Sequence, residues 1–222
     1  EGVDRTHRFA EEALERTYAA AREFARILDE HPVQALRFVA TSATRDAQNR
    51  QEFEDTIESI LGVRPEGISG VEEADLSFLA ATSMTARTDL EPPFLVVDLG
   101  GGATELVLGG DGAAAPATRV DAAFSMNSGS VRMTERHLAN DPPTQAQIDA
   151  AVDDIDAHID EAFTHVPAGR AHTIIGVSGT VTTMTALAMG LTEYDHRAVD
   201  GVRMDFGTAF AVDDRFLHMT RA

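Results

Sequence analysis

The chain has 222 residues, enough for one large domain or two small ones, and its 43% hydrophobic content is sufficient for a real core. A formal net charge of −19, from 18 basic and 37 acidic side chains, argues against non-specific nucleic-acid binding and against anionic membranes. The sequence contains no cysteine and no lysine, which removes disulfides, thiolate nucleophiles, a P-loop lysine and Schiff-base chemistry. No apolar run of about 18 residues is present, so no helical membrane span is expected. No signal peptide is visible, and a cytoplasmic location is the expectation.

Taken in order, Glu1–Phe9 is polar and turn-like. Glu11–Leu28 carries Leu14, Tyr18, Ala21, Phe24, Ala25 and Leu28 at helical spacing. Leu36–Ala40 reads as a short strand with Thr41–Arg45 at its end, followed by a helix bearing Phe53, Ile57, Ile60 and Leu61. Pro65 breaks the pattern. Gly67–Gly70 reads as a brief strand and turn, and a helix opens at Glu72 and reaches about Thr82. Alternation of strands and helices indicates an α/β domain. The polar, proline-containing Thr88–Pro93 marks a domain boundary, giving expected domains 1–92 and 93–222.

Phe94–Leu108 (FLVVDLGGGATELVL) organises the second half. An apolar run reads as a buried strand ending at Asp98. Gly100, Gly101 and Gly102 then form a turn whose backbone can approach a ligand closely, and successive N–H groups in such a turn make an anion-sized concavity. A second extended stretch follows. The bland alternative is a glycine-rich hairpin that only turns a corner. The acid on either side, Asp98 and Glu105, speaks against it, because an unpaired charge at the end of a buried strand is costly. Either acid could hold a cation beside the anion.

Gly109–Ala117 is a small-residue tip, Ala122–Met126 a further strand, and Ser128–Leu138 a helix with Val131 and Leu138 inward and Arg132, Glu135 and Arg136 on its polar side. Asn140–Pro143 stops it. Thr144 and Gln147 form a capping box for a helix with Ile148, Val152, Ile155, Ile159 and Phe163 on one stripe. Its aspartates (149, 153, 154, 156 and 160) read as a solvated face rather than a metal cluster. His172–Val177 is a strand, Ser178–Thr180 a second small-residue turn, and Val181–Met189 a helix. Gly190–Arg203 is irregular and Phe206–Thr220 helical. The histidines, among them His137, His158 and His165, show no metal-ligand spacing.

Five blocks together resemble the exopolyphosphatase / guanosine pentaphosphate phosphohydrolase family of the sugar kinase–actin–chaperone ATPase superfamily. They are ATSATRDAQNRQEF (40–53), ISGVEEA (68–74), VVDLGGGATELV (96–107), SMNSGSVRMTER (125–136) and GVSGTVTTMTALAMGL (176–191). The acidic, lysine-free character is similar to actinobacterial members. The resemblance implies an α/β fold of two RNase H-like (actin-like ATPase) domains flanking an interdomain cleft. It also implies that the family's early Asp-x-Gly loop and its later helices lie outside this sequence, so that both ends of the fold are missing.

The resemblance further implies site residues. Glu73, the second glutamate of the EEA block, is the expected general base; its alternative is a helix-start acid favoured by the macrodipole. Glu105 and Asp98 are expected to position water or hold Mg²⁺ or another divalent cation such as Mn²⁺. Arg45 is expected on phosphate, where its fork suits two oxygens. Ser69, Gly70, Gly100, Gly101, Gly102, Ala103, Thr104, Ser178 and Gly179 complete the expected substrate-binding set; Ala103 stands where many members have serine. Arg132 and Arg136 are weaker candidates, with local pairing to Glu135 the simpler account. The expected substrate is polyphosphate or guanosine pentaphosphate. Members are often dimers, although no interface is defined by the sequence. Two other classes stay open: a non-catalytic polyphosphate- or alarmone-binding module, and an ATP-dependent small-molecule kinase.

Overall fold

The computed structural model describes residues 3–83, 90–110 and 119–220. The expected tip at Gly109–Ala117 falls outside the described residues from 111 onward, and so do Thr88 and Asp89 of the expected connection. The chain divides into two compact units, Glu1–Glu73 and Ala74–Ala222.

In the first unit, a four-residue helix α1 (Val3–Thr6) precedes α2 (Glu11–Glu30), whose buried positions Leu14, Tyr18 and Ala21 recur at helical spacing. They pack on Phe53 and Ile57 of α4 (Arg50–Leu61) and on Ala40, forming one core. Phe9 and Tyr18 lie at ring-centroid distances of 5.5 and 6.4 Å from Phe53. Gly62 ends α4 in the left-handed conformation, at φ 73°, where a glycine carries no Cβ penalty.

The strand expected over Leu36–Ala40 shortens to β1 (Val39–Ala40), which pairs in parallel with β2 (Glu66–Gly67). Pro65 precedes β2 and has no N–H to extend the ladder backwards. A short helix α3 (Ser42–Asp46) follows β1, and α5 (Gly70–Ser83) follows β2.

The second unit is built on a four-stranded sheet in the order β5-β4-β3-β6, from β3 (Phe94–Leu99), β4 (Thr104–Gly109), β5 (Val120–Met126) and β6 (Thr173–Val177). The β3–β4 and β4–β5 pairs are antiparallel, whereas β3 and β6 run parallel. Alternation along the strands splits the sheet into two faces. Leu95, Leu106, Leu108 and Met126 face α7 (Gln145–His165) through Ala162, with Val166 just beyond it. Phe94, Val96 and Val107 pack on Ala74 and Phe78 of α5. Gly109 allows that second contact, since a Cβ there would meet Phe78 Cζ at 2.6 Å and collide with the Arg119 carbonyl.

The capping box at Thr144 and Gln147 is present in full. Along α7 Asp149, Asp153, Asp156 and Asp160 are exposed, as expected of a solvated face. Its apolar stripe is only partly covered, with Ile148 buried but Val152 and Phe163 exposed. Between β5 and α7 lies α6 (Ser130–His137). After β6, the small-residue turn expected at Ser178–Thr180 is the first turn of α8 (Ser178–Ala188), because the helix begins directly at the strand end. The irregular stretch that follows contains one four-residue helix, α9 (His196–Val199), and α10 (Phe206–His218) completes the unit. Among the described residues no helix is long and apolar enough to cross a membrane.

Candidate active site

The register of β3 and β4 sets Asp98 directly opposite Glu105. Opposed residues of an antiparallel pair project from the same face, here the face that packs on α5. Glu105 is only 2% exposed, and the Ser125 hydroxyl of β5 donates to its Oε1 at 2.7 Å. Asp98 is half-buried, and its Oδ2 accepts from the Ser77 hydroxyl of α5 at 2.5 Å. Two like charges directly opposite are destabilising, so this row of the sheet suits a cation. Among the described residues no group of three or more histidine, aspartate or glutamate side chains is arranged as a metal site. Two opposed carboxylates are oxygen donors of the kind that suits a hard divalent cation such as Mg²⁺.

The turn between the strands is clamped by its carbonyls. Gly100 O accepts from Ser130 N at 3.0 Å, and Gly101 O from Val131 N and Arg132 N, both at 3.0 Å. Gly102 O accepts from Arg132 Nε at 2.6 Å. The first N–H groups of α6, which a helix leaves without internal partners, are spent on this turn. A trans peptide unit directs its N–H opposite to its C=O. Carbonyls 100 and 101 point at α6, so the N–H groups of Gly101 and Gly102 point away from it, and Gly101 is exposed. The Gly100 N–H instead donates to Ala103 O at 3.1 Å and closes the turn, so the expected trio of amides reduces to two at these glycines.

The fit is tight behind the turn. A Cβ on Gly129 would lie 2.6 Å from Gly101 O and 2.7 Å from Ala103 N. Ala103 is buried at 5% exposure, and the Thr104 hydroxyl donates to Ser128 O at 2.5 Å. The side chains of both residues therefore serve the turn's packing rather than a ligand.

The structure exchanges two positions of the α6 reading and keeps Glu135 and Arg136 exposed as expected. Val131, expected inward, is 44% exposed, while Arg132, expected on the polar side, is 9% exposed. The bonds from the helix start to the glycine carbonyls fix the rotation of α6, and a charged side chain is tolerated inside because a carbonyl receives it. Arg136, for which Glu135 was the simpler partner, reaches Asp154 of α7 at 3.4 Å. His137 Nε2 lies 2.8 Å from the same carboxylate and His158 Nε2 3.6 Å. The His137 bond, aided by His158 and Arg136, holds the Asp154 pKa below its ordinary value.

At the other switch of the sheet, Ser178 takes φ 80°, a left-handed conformation that is uncommon for a non-glycine residue. Gly179 follows, and the Thr180 hydroxyl donates to Ser130 Oγ at 3.1 Å, linking this turn to the start of α6. Gly100, Gly101, Ser178 and Gly179 border a cavity of about 1050 Å³ on the α7 side of the sheet. Its walls are otherwise largely apolar, from Leu95, Leu106, Ile155 and Phe216 among others, and Asp98 and Glu105 are not among them. This is the wrong lining for a polyanion.

In the first unit, Arg45 lies in the last turn of α3. Its Nη1 donates to Ile68 O at 2.7 Å and to Glu73 Oε2 at 3.3 Å, so the candidate phosphate ligand and the candidate base are already paired. Ser69 acts locally. Its hydroxyl accepts from Glu72 N at 3.1 Å and its carbonyl from Glu73 N at 2.9 Å, which starts α5 at Gly70. Glu72 binds Arg37 at 2.6 Å. The sequence reading missed Ser77 and Ser125. Ser77 stands one helical turn after Glu73, and Ser125 opens the SMNSGSVRMTER block; both become recognisable once the register is known.

A match to the Ppx/GppA phosphatase family extends over residues 1–219. The chain belongs to this family. It is 40% identical over 226 aligned positions to exopolyphosphatase 2 of Mycobacterium tuberculosis, covering all of this chain and 68% of that protein. The crystal structure of an exopolyphosphatase-like protein matches at 74% identity and a TM-score of 0.95, over 99% of this chain and 68% of that one. A Ppx/GppA member from Aquifex aeolicus matches at 29% identity and a TM-score of 0.73, over 99% and 67%. An exopolyphosphatase from Cytophaga hutchinsonii, at 23% identity and a TM-score of 0.76 over 97% and 67%, shares the fold. The α/β architecture with its mixed sheet is thus that of the Ppx/GppA proteins, of the actin-like ATPase type.

Proposed function

We propose that this Ppx/GppA member is a phosphoanhydride hydrolase that releases orthophosphate from the end of inorganic polyphosphate, or the 5′-phosphate of guanosine pentaphosphate. The observation that carries the reading is the clamped glycine turn: α6 and Arg132 hold its carbonyls, which turns the Gly101 and Gly102 amides away from α6, in the turn that joins the two strands bearing the opposed pair Asp98 and Glu105. The name of the M. tuberculosis relative supports polyphosphate in particular.

In this reading the two amides donate to phosphoryl oxygens, and Arg45 is a phosphate ligand through the guanidinium edge formed by Nε and Nη2. Water oxygen attacks phosphorus in line, the bridging P–O bond breaks, and its electron pair leaves on the bridging oxygen. Glu73 takes the proton from the attacking water. Asp98 and Glu105 are the residues that would hold Mg²⁺ or Mn²⁺. Bound there, the cation supplies neutralisation of the charge that spreads over the phosphoryl oxygens.

The test is phosphate release by the full-length gene product with Mg²⁺, offering long-chain polyphosphate and guanosine pentaphosphate in parallel. Glu73→Gln should lower kcat by about 10²-fold or more with little change in KM, the usual scale for losing a general base. Normal turnover in that variant removes Glu73 from the mechanism. Tight binding with no release from either substrate by the wild type replaces the hydrolase with a binding module.

A further inference from the structure

Ser77 is a polar residue in the middle of a helix, where serine and threonine commonly bond back to a carbonyl of the preceding turn. The other two hydroxyls on this part of α5 do so: Thr82 donates to Phe78 O and Ser83 to Ala80 O, at 2.7 and 2.8 Å. Ser77 instead donates across to the sheet, to Asp98 Oδ2 at 2.5 Å. A serine hydroxyl has one proton, and this bond directs it to a single oxygen of the carboxylate. Among the described residues, Asp98 Oδ1 has no hydrogen-bond partner.

We propose that Ser77 is a positioning residue for cation binding: it fixes Oδ2 of Asp98 and so presents Oδ1 as an oriented, one-oxygen ligand. The proposal rests on the reading of Asp98 as a cation ligand. Mg²⁺ demands near-octahedral geometry and takes only one or two protein carboxylates in phosphate-processing sites, so the angle at which one oxygen is offered matters. An aspartate facing the buried Glu105 across the strand pair would otherwise swing away from it to relieve repulsion. The Ser77 hydroxyl, reaching Asp98 from α5 rather than from a neighbouring strand, opposes that swing. Partners of ligating carboxylates that sit one bond removed from the metal commonly carry 10–100-fold in affinity or activity. Ser125 holds Glu105 in the same manner, from β5.

The experiment compares wild type, Asp98→Asn, Ser77→Ala, Ser77→Cys and Ser77→Thr in the full-length gene product. Mn²⁺ is titrated directly and the free ion read by electron paramagnetic resonance, with thermal melting to establish that each variant is folded. Mg²⁺ half-activation and polyphosphate KM are measured alongside. Ser77→Ala should raise the Mn²⁺ dissociation constant and the half-activating Mg²⁺ concentration by roughly 10-fold or more. KM for polyphosphate at saturating Mg²⁺ should stay within about twofold, and Ser77→Thr should restore both metal values. Ser77→Cys keeps the volume with a weak donor, so it should also weaken Mn²⁺, and it supplies the answer if Ser77→Ala does not fold. Unchanged Mn²⁺ affinity in Asp98→Asn would remove Asp98 as a ligand and the proposal with it. Weakened binding in Asp98→Asn beside wild-type affinity in the folded Ser77 variants would overturn the role of Ser77 alone.

Discussion

The second unit contains two turns at strand ends, and they are built on opposite principles. The Gly100–Gly102 turn uses glycine throughout and is held from behind by three backbone amides and a guanidinium. The Ser178–Gly179 turn places a side-chain-bearing residue at φ 80° and is tied to the start of α6 through the Thr180 hydroxyl on Ser130. The first turn spends its carbonyls on support, which directs the Gly101 and Gly102 amides away from α6. The second carries a strained φ at Ser178, and its carbonyls accept from the Thr182 and Thr183 hydroxyls of its own helix. One turn is held from a neighbouring helix and the other largely from within its own, and four variants probe that difference.

The largest effect is expected from Gly129→Ala. Its methyl would meet backbone atoms at 2.6 and 2.7 Å, which cannot rotate away, so α6 must separate from the turn. A loss of about 2–3 kcal/mol in denaturant unfolding is expected, typical of overpacking a tight site, together with loss of phosphate release. A wild-type midpoint would show that the turn is not held from behind. Next is Arg132→Met, which keeps the stem but leaves the Gly102 carbonyl without its charged donor. A cost of about 2 kcal/mol is expected, as for a hydrogen bond to a charged group, with a fall in kcat. If stability drops and kcat does not, the support is structural only.

Ser178→Gly should move the other way. Relief of a strained φ is worth roughly 1–3 kcal/mol, offset by about 0.5–1 kcal/mol of added chain entropy, so a net gain of about 1 kcal/mol is expected in thermal melting. No gain would mean that the turn carries no usable strain.

The smallest effect concerns the anchor of α6 on α7. Asp154 has a pKa held below its ordinary value of 3.8, first by the bond from His137 and then by His158 and Arg136, against its partial burial. A depressed carboxylate contributes stability above its ordinary pKa and loses it as pH falls through the lowered value. Asp154→Asn should therefore cost on the order of 0.5 kcal/mol near neutral pH, the scale of a solvent-screened pair. The difference should vanish as pH falls below the lowered pKa. A constant difference across the acid range would show that the effect is packing and not charge.

Much of this was legible in the sequence where the signal is local. The capping box of α7, the strand–turn–strand at Phe94–Leu108 and the α5 helix, expected from Glu72 and found from Gly70, all rest on residues close in the chain. What the sequence hid depends on contacts between distant segments. The rotation of α6 is set by carbonyls 100–102 about thirty residues earlier, and eight residues of amphipathic pattern are too few to orient Val131 and Arg132 correctly. Ser77 and Ser125 carry no motif of their own; their partners become visible only once α5 lies on β3 and β5 is in register with β4. The shortness of β1 likewise follows from the proline that precedes its partner strand.

The pairing of Asp98 with Glu105 also protects the molecule against a folding error. Side chains alternate between the two faces of the sheet, so sliding β4 by one residue against β3 would turn Glu105 toward Leu95, Met126 and Ala162. A carboxylate among those side chains would lack partners and be expelled. Chains that zip the central hairpin in the wrong register are thus rejected by the same side chain that the correct register sets opposite Asp98, so one carboxylate proofreads the pairing of the two strands.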